Sequence, residues 1–253
     1  MKRDNTLKEE TLKIDNGRIM VVSDIHFPYE DKSAVTAFIR EVGFKRPEVI
    51  VLNGDLLDFY KLSKFSKDPA GKNPEEEIEM CKTFLKCLRR EAGKECKIYY
   101  TIGNHESRLR KYILDNAPMV AGLMENVFSL LKLEESDVVG CASLLVNDTF
   151  MFKHGSRLGN KSGLSAIKEL EAHYLSGASG HCHKLARYSV RKAGRRFIWL
   201  ETGCLCDLNP EYMIDPDWEQ GIGIVTFEKG KLKNAQVYPI VSGQVLYDWF
   251  KGV

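Results

Sequence analysis

Three short runs of β-branched and aliphatic residues, at 18–23, 49–53 and 97–102, are separated by stretches whose apolar residues recur at helical spacing. Val35, Phe38, Ile39 and Val42 stand at i, i+3, i+4 and i+7, which buries one face of a helix over about 31–44. Ile78, Cys81, Leu85 and Leu88 stripe a second helix. Pro74 followed by Glu75, Glu76 and Glu77 suits its start, where the helix dipole favours acids. Alternating strands and helices require a layered α/β fold. The second half changes character. Residues 143–146 and 150–153 predict a hairpin turned at Asn147-Asp148, followed by a helix over about 163–175 and strands near 185–191, 196–202, 221–228 and 232–241. The expected architecture is therefore α/β, with two packed mixed β-sheets flanked by helices. Without an internal repeat, a low-complexity tract or a Gly/Ser-rich linker, residues 1–253 are expected to form one domain.

Composition removes several function classes. With 43% hydrophobic and 28% charged residues the chain can bury a sizeable core. Its aliphatic runs, such as 19–22 and 49–52, are far shorter than the roughly 20 residues a membrane span needs. The first fifteen residues alternate charge without an apolar stretch, so the expected location is the cytoplasm. The 37 basic and 35 acidic residues leave a formal net charge of +2, too little for a global field that captures a polyanion. Seven cysteines at 81, 87, 96, 141, 182, 204 and 206 lack the spacing of a disulfide framework and are expected to be reduced. Cys182 should fill core between its flanking histidines, and Cys204 and Cys206 should pack at a strand end.

Chemistry-bearing residues collect where strands are predicted to stop. In order, the chain offers Asp24-Ile25-His26, Gly54-Asp55, Gly103-Asn104-His105-Glu106, His154-Gly155 and Gly180-His181-Cys182-His183. In layered α/β folds the carboxyl ends of strands line the functional crevice. Asp-x-His and His-x-His place alternate side chains of an extended segment on one side, so each pair can converge on a metal ion. The adjacent glycines are expected to permit tight turns and leave room for a phosphate. A mixed oxygen and imidazole set suits Mn, Fe, Zn or Ni rather than Ca. Seven such ligands exceed one tetrahedral site and suffice for two ions sharing a carboxylate. Of the six histidines only His173 lies elsewhere, on the predicted helix ending near 175, where a half-exposed surface position is expected.

These five blocks, in this order, resemble the signature of the calcineurin-like metallophosphoesterase superfamily: D-x-H, GD, GNH(E/D), H and GHxH. The resemblance implies one divalent ion held by Asp24, His26 and His183, a second held by Asn104, His154 and His181, and Asp55 bridging both. It further implies hydrolysis of a phosphoester by in-line attack of a metal-bridging hydroxide, with His105 as general acid at the leaving group. Asp58 matches the acid that orients this histidine in the phosphoprotein phosphatase branch. Manganese is the expected metal.

Two departures bear on the substrate. Protein Ser/Thr phosphatases carry an arginine where this chain has Phe59, and HGG where it has His154-Gly155-Ser156. The expected substrates are therefore phosphodiesters of nucleotides or single-stranded nucleic acid, with a phosphomonoester or phosphoprotein as the alternative. A non-catalytic interaction scaffold is the alternative of another class, disfavoured because every ligand position is filled. Arg108 and Arg157, near the expected mouth, are candidate phosphate contacts. The basic stretch 184–196 is expected to form a hairpin beside the cleft that could track a nucleic-acid backbone. Tyr212 and Trp218 could stack a base. The 103–112 run, Asn-Pro-Glu-Tyr at 209–212 and Trp-Glu-Gln-Gly at 218–221 resemble compact metallophosphoesterases of bacteriophages and prophages.

Overall fold

The computed structural model describes residues 7–64, 71–123, 126–210 and 215–248. Among these residues thirteen strands build two mixed sheets. In chain order they are β1 Glu9–Leu12, β2 Gly17–Val22, β3 Val49–Leu52, β4 Lys97–Thr101, β5 Val138–Cys141, β6 Ser143–Val146 and β7 Phe150–Phe152. They continue as β8 Ser176–Ser179, β9 Leu185–Lys192, β10 Arg195–Thr202, β11 Gly221–Glu228, β12 Lys231–Val241 and β13 Gln244–Val245. Helices are α1 Lys32–Lys45, α2 Pro74–Ala92, α3 Glu106–Asn116, α4 Val127–Leu130 and α5 Leu164–His173. One sheet runs β13-β12-β11-β2-β3-β4-β5 and the other β1-β6-β7-β8-β10-β9.

The central strands show why the aliphatic runs of the first half are unbroken. Ile19 and Val21 of β2, with Val49 and Val51 of β3, point into the core between the sheets. Their neighbours Met20, Val22, Ile50 and Leu52 point the other way, under α1 and α2. A strand buried on both faces must be apolar at every position. Leu144, Val146, Phe150, Phe152 and Leu200 supply the opposing face of the inter-sheet core. On the outside of the second sheet Ala166 and Leu170 of α5 pack with Trp199. Helix caps fix the frame: the Asn73 side chain accepts from the Glu76 amide while Glu76 accepts from the Asn73 amide, and Asp31 caps α1 through Ser33 and Ala34. The Asn147-Asp148 turn has both residues in the left-handed region (φ 50° and 56°), as a tight hairpin requires.

Sequence periodicity missed β1, β5, β8, β13, α3 and α4. Among the described residues α3 buries only Glu106, so it shows no apolar stripe. Ser-Gly-Ala-Ser in β8 lacks large residues because Trp199 packs over it; a Cβ on Gly177 would lie 2.7 Å from that indole. The basic hairpin exists, but its placement differs from expectation. β9 leaves the site end of the sheet, where Leu185 pairs with Thr202, and turns at the far end, where Arg195 pairs with Lys192. Seven steps of about 3.3 Å carry its tip roughly 23 Å from the ligand-bearing ends, so Arg191, Lys192, Arg195 and Arg196 do not flank the cleft.

Candidate metal centre

Strands β2, β3 and β4 are parallel, as are β7 and β8 in the other sheet, so five carboxyl ends deliver their next residues to one place. The first two segments are zipped together: the Asp24 amide donates to the Gly54 carbonyl at 3.1 Å and the His26 amide to that of Asp55 at 3.0 Å. Asp24, His26, Asp55, His181 and His183 all have φ between 53° and 69°. Side chains held in that left-handed region cost about 1–3 kcal/mol each and cluster at functional sites. Two glycines make room for carboxylates rather than for phosphate. A Cβ on Gly103 would lie 2.0 Å from Oδ1 of Asp55, and one on Gly180 would lie 2.3 Å from Oδ2 of Asp24.

The side chains meet in overlapping clusters. Asp24, His26 and His183 form one and Asp55, His154 and His181 another; Asp55 also groups with His26 and His105. Nε2 of His183 lies 3.1 Å from Oδ1 of Asp24 and 3.2 Å from Nε2 of His26. Nε2 of His154 lies 3.0 Å from Oδ2 of Asp55 and 3.0 Å from Oδ1 of Asn104. Donor chemistry decides the fit to cations. His26 donates Nδ1–H to Asp58 at 3.0 Å and His154 donates Nδ1–H to the Asn53 carbonyl at 2.9 Å. Both imidazoles therefore aim Nε2 lone pairs at buried carboxylates, an arrangement that a divalent ion satisfies and a proton satisfies less well.

Charge follows the same pattern. Burial alone would raise the carboxyl of Asp24, but His183 and His154 hold it well below the usual range. Asp55 is lowered against burial by His154 and His105, and Asp58 by hydrogen bonds from His105 and His26. In turn His154 rises to about 9, its burial outweighed by Asp55 and Asp24. His183 rises to about 9 against its burial through Asp24. His181 goes the other way, lowered by burial and by its neighbour His154. Such opposed shifts mark a site that holds positive charge among its carboxylates.

The sequence profile of the calcineurin-like phosphoesterases matches residues 17–200, the stretch that carries all these side chains. The chain belongs to that family. It is a metal-dependent phosphoesterase. This phosphoesterase is 26% identical over 250 residues to the Gene 54 protein of Mycobacterium phage D29, covering 91% of its own length and 96% of that protein. The Gene 54 protein of Mycobacterium phage L5 is 25% identical with the same coverage. In fold it is similar to a single mutant of Vps29 from Entamoeba histolytica (13% identity, TM-score 0.51, 90% of this chain and 96% of that one). Vacuolar Protein Sorting 29 from Cryptosporidium parvum is similar too (16% identity, TM-score 0.50, 92% and 96%). Among the described residues no helix is long and apolar enough to cross a membrane.

Around the clusters, the phosphoesterase places His105 at the start of α3, its amide donating to Oδ1 of Asp55 at 2.8 Å. Its Nδ1–H donates to the Asp58 carbonyl at 2.9 Å, while Oδ2 of Asp58 lies at 3.4 Å. Asp58 thus touches both His26 and His105. Nη2 of Arg108 donates to Nε2 of His105 at 2.8 Å and its Nη1 to the Asp58 carbonyl at 2.8 Å. Arg157 has an exposed side chain, and its amide donates to the buried Glu169 at 3.0 Å. Trp218 sets its ring edge-on against His183 at 4.2 Å, whereas Tyr212 lies outside the described residues. His173 is half-buried, stacked on Trp199 at 5.8 Å.

Three residues acquire a place that sequence reasoning did not give them. Glu106 accepts from the amides of Asp55, Leu56, Leu57 and Gly103 and from the Tyr100 hydroxyl. Burial and the neighbouring Asp55 carboxylate push its carboxyl up, and through these five donors it holds the Asp55 loop in shape. The E of GNHE was the available signal. Cys206, expected only to pack, puts Sγ 3.9 Å from Nδ1 of His183. Glu77, which the sequence presents as a dipole-favoured acid, is instead wholly buried beside Asp58. It falls four residues before Cys81, on the apolar stripe of α2, and that offset was its sequence signal.

Proposed function

We propose that this phosphoesterase uses a dinuclear centre to hydrolyse phosphodiesters of nucleotides or short single-stranded nucleic acid. Asp24, His26 and His183 would hold one ion, Asn104, His154 and His181 the other, and Asp55 would bridge them. Manganese fits this mixed oxygen and imidazole set best, with Fe, Zn or Ni as substitutes. Such ions supply a nucleophile from water at neutral pH and neutralise charge on the phosphoryl oxygens.

The observation that carries the diester reading is the scarcity, among the described residues, of free cations at the centre. Phe59, in the place of the phosphatase arginine, is wholly buried and cannot reach a phosphate. Arg108 spends its guanidinium on Asp58 and His105. A monoester dianion brings an extra charge that this wall does not answer, whereas a diester brings one. The half-buried indole of Trp218 beside His183 offers an apolar surface for a base.

His105 is the proton donor for the leaving oxygen in this reading. Its Nδ1–H is fixed on the Asp58 carbonyl, so the transferable proton sits on Nε2, the atom Arg108 now faces. The test is metal analysis combined with a paired assay on an aryl diester and the matching aryl monoester. About two ions per chain and a higher kcat/KM for the diester are expected. A single ion, or preference for the monoester, overturns the proposal.

A further inference from the structure

The Asp58–Phe59 peptide is gripped from both ends. Its carbonyl accepts Nδ1–H of His105 at 2.9 Å and Nη1 of Arg108 at 2.8 Å. Its N–H, belonging to Phe59, donates to Oε2 of Glu77 at 2.6 Å. Glu77 reaches it from the first turn of α2 and has no exposed surface. Its other oxygen, Oε1, is buried without a hydrogen-bond partner. A buried polar atom left unpaired is destabilising. Phe59 itself is held at φ 52°, another strained conformation. A buried carboxyl and a left-handed phenylalanine together are a costly way to fill space. They are an economical way to aim one peptide.

We propose that Glu77 is a positioning residue that orients His105 by clamping the Asp58–Phe59 peptide from behind. The peptide unit is planar, so fixing its N–H direction fixes its carbonyl direction. Released from Glu77, the left-handed Phe59 relaxes by rotating that plane, and the carbonyl turns away from His105. His105 then loses the acceptor that keeps its proton on Nδ1, and Arg108 loses one of its two anchors. Glu77 touches neither substrate nor metal. The inference rests on the proposed role of His105 as proton donor.

The test compares Glu77→Leu, which removes the acceptor, with Glu77→Gln, which keeps an oxygen for the Phe59 amide. Two phosphodiesters, one with an alkoxide and one with an activated aryl leaving group, are assayed beside metal content. Glu77→Leu is expected to slow the alkoxide ester by about 10²-fold, the scale of a small misplacement of a catalytic group. It should barely affect the aryl ester and leave metal content intact. Glu77→Gln should recover most of the lost rate. In a His105→Ala background Glu77→Leu should cost little more, because the group it positions is gone. Equal loss on both esters, loss of metal, or additivity with His105→Ala overturns the proposal. If Glu77→Leu does not fold, Glu77→Asp withdraws the carboxyl by one methylene, and the same readouts apply. Undiminished alkoxide hydrolysis by His105→Ala sinks the acid assignment and this inference together. A His105-dependent rate that ignores Glu77 sinks this inference alone.

Discussion

The two candidate cation positions are supported in different ways. Around the histidines of the first, the outer partners are side chains: Asp58 receives Nδ1–H of His26, and Cys206 lies against Nδ1 of His183, while Asp24 accepts the backbone amide of His181. At the second, Nδ1 of His154 rests on the backbone carbonyl of Asn53, and the Asp55 loop is strung by its amides on the Glu106 side chain. Partners made of backbone are unaffected by substituting the residue that supplies them. The histidines of the first position are therefore open to tuning by single substitutions outside the ligand set, whereas His154 is set by the fold and Asp55 answers to Glu106.

In the proposed assignment Asp55 belongs to both positions, so its loss should have the largest effect. Asp55→Ala removes the carboxylate that separates two cations and the acceptor of the His105 amide. Both ions and all turnover are expected to go, checked by metal analysis on gel-filtered protein. Retention of two ions with normal turnover would show that the positions do not share this residue.

Substitutions behind the ligands should separate the two positions. Cys206→Ala is expected to weaken one ion by about 10-fold and leave the second unchanged, within the usual range for outer partners. Asp58→Ala should do the same through His26 and also slow alkoxide leaving groups, because Asp58 faces His105 as well. Calorimetric titration that shows both ions weakened equally would erase the distinction between the positions.

Much of this arrangement is legible in the sequence because it follows from strand ends. The ligand blocks sit one or two residues past β2, β3, β4, β7 and β8, and hydrophobic patterning alone locates four of those strands. Strand β8 escapes it because its small residues answer to Trp199, a partner distant in sequence. Glu77 and Cys206 escape for a related reason: their value lies in which atom each faces, and spacing does not encode that. The hairpin is recognisable but was misplaced, since its composition says nothing about which end of the sheet carries its turn.

Titration of the metal-free protein gives a smaller effect with a definite sign. His154 and His183 stand near 9 when folded, above the ordinary histidine value near 6.5. Raised values mean that their contribution is fully present below about 6.5 and is lost as pH rises through about 9. Asp24, Asp55 and Asp58 are lowered, so their contributions are already complete throughout this window. In chelator the denaturation midpoint should fall from pH 6.5 to 9, and added manganese should reverse the fall, because the same histidines then bind metal in place of protons. A flat metal-free profile would mean that the carboxylates do not hold protons on these imidazoles.

The smallest effect is expected at the end of the sheet farthest from both positions. Arg191, Lys192, Arg195 and Arg196 cluster at the β9–β10 turn, where Arg195 pairs with Lys192. Replacing all four with glutamine should leave hydrolysis of a small diester and of a dinucleotide unchanged, since neither substrate spans the roughly 23 Å that seven steps of strand impose. A long single strand is different: it can occupy the centre and the tip together. For that ligand each lost phosphate contact should reduce the salt slope of binding by about 0.7, so the variant binds less tightly at low salt and converges with the parent at high salt. Equal weakening of the dinucleotide would place the basic tip at the centre, contrary to the register of the hairpin. No change for the long strand would leave the four residues as a solvated turn and confine recognition to Trp218 and the ions themselves.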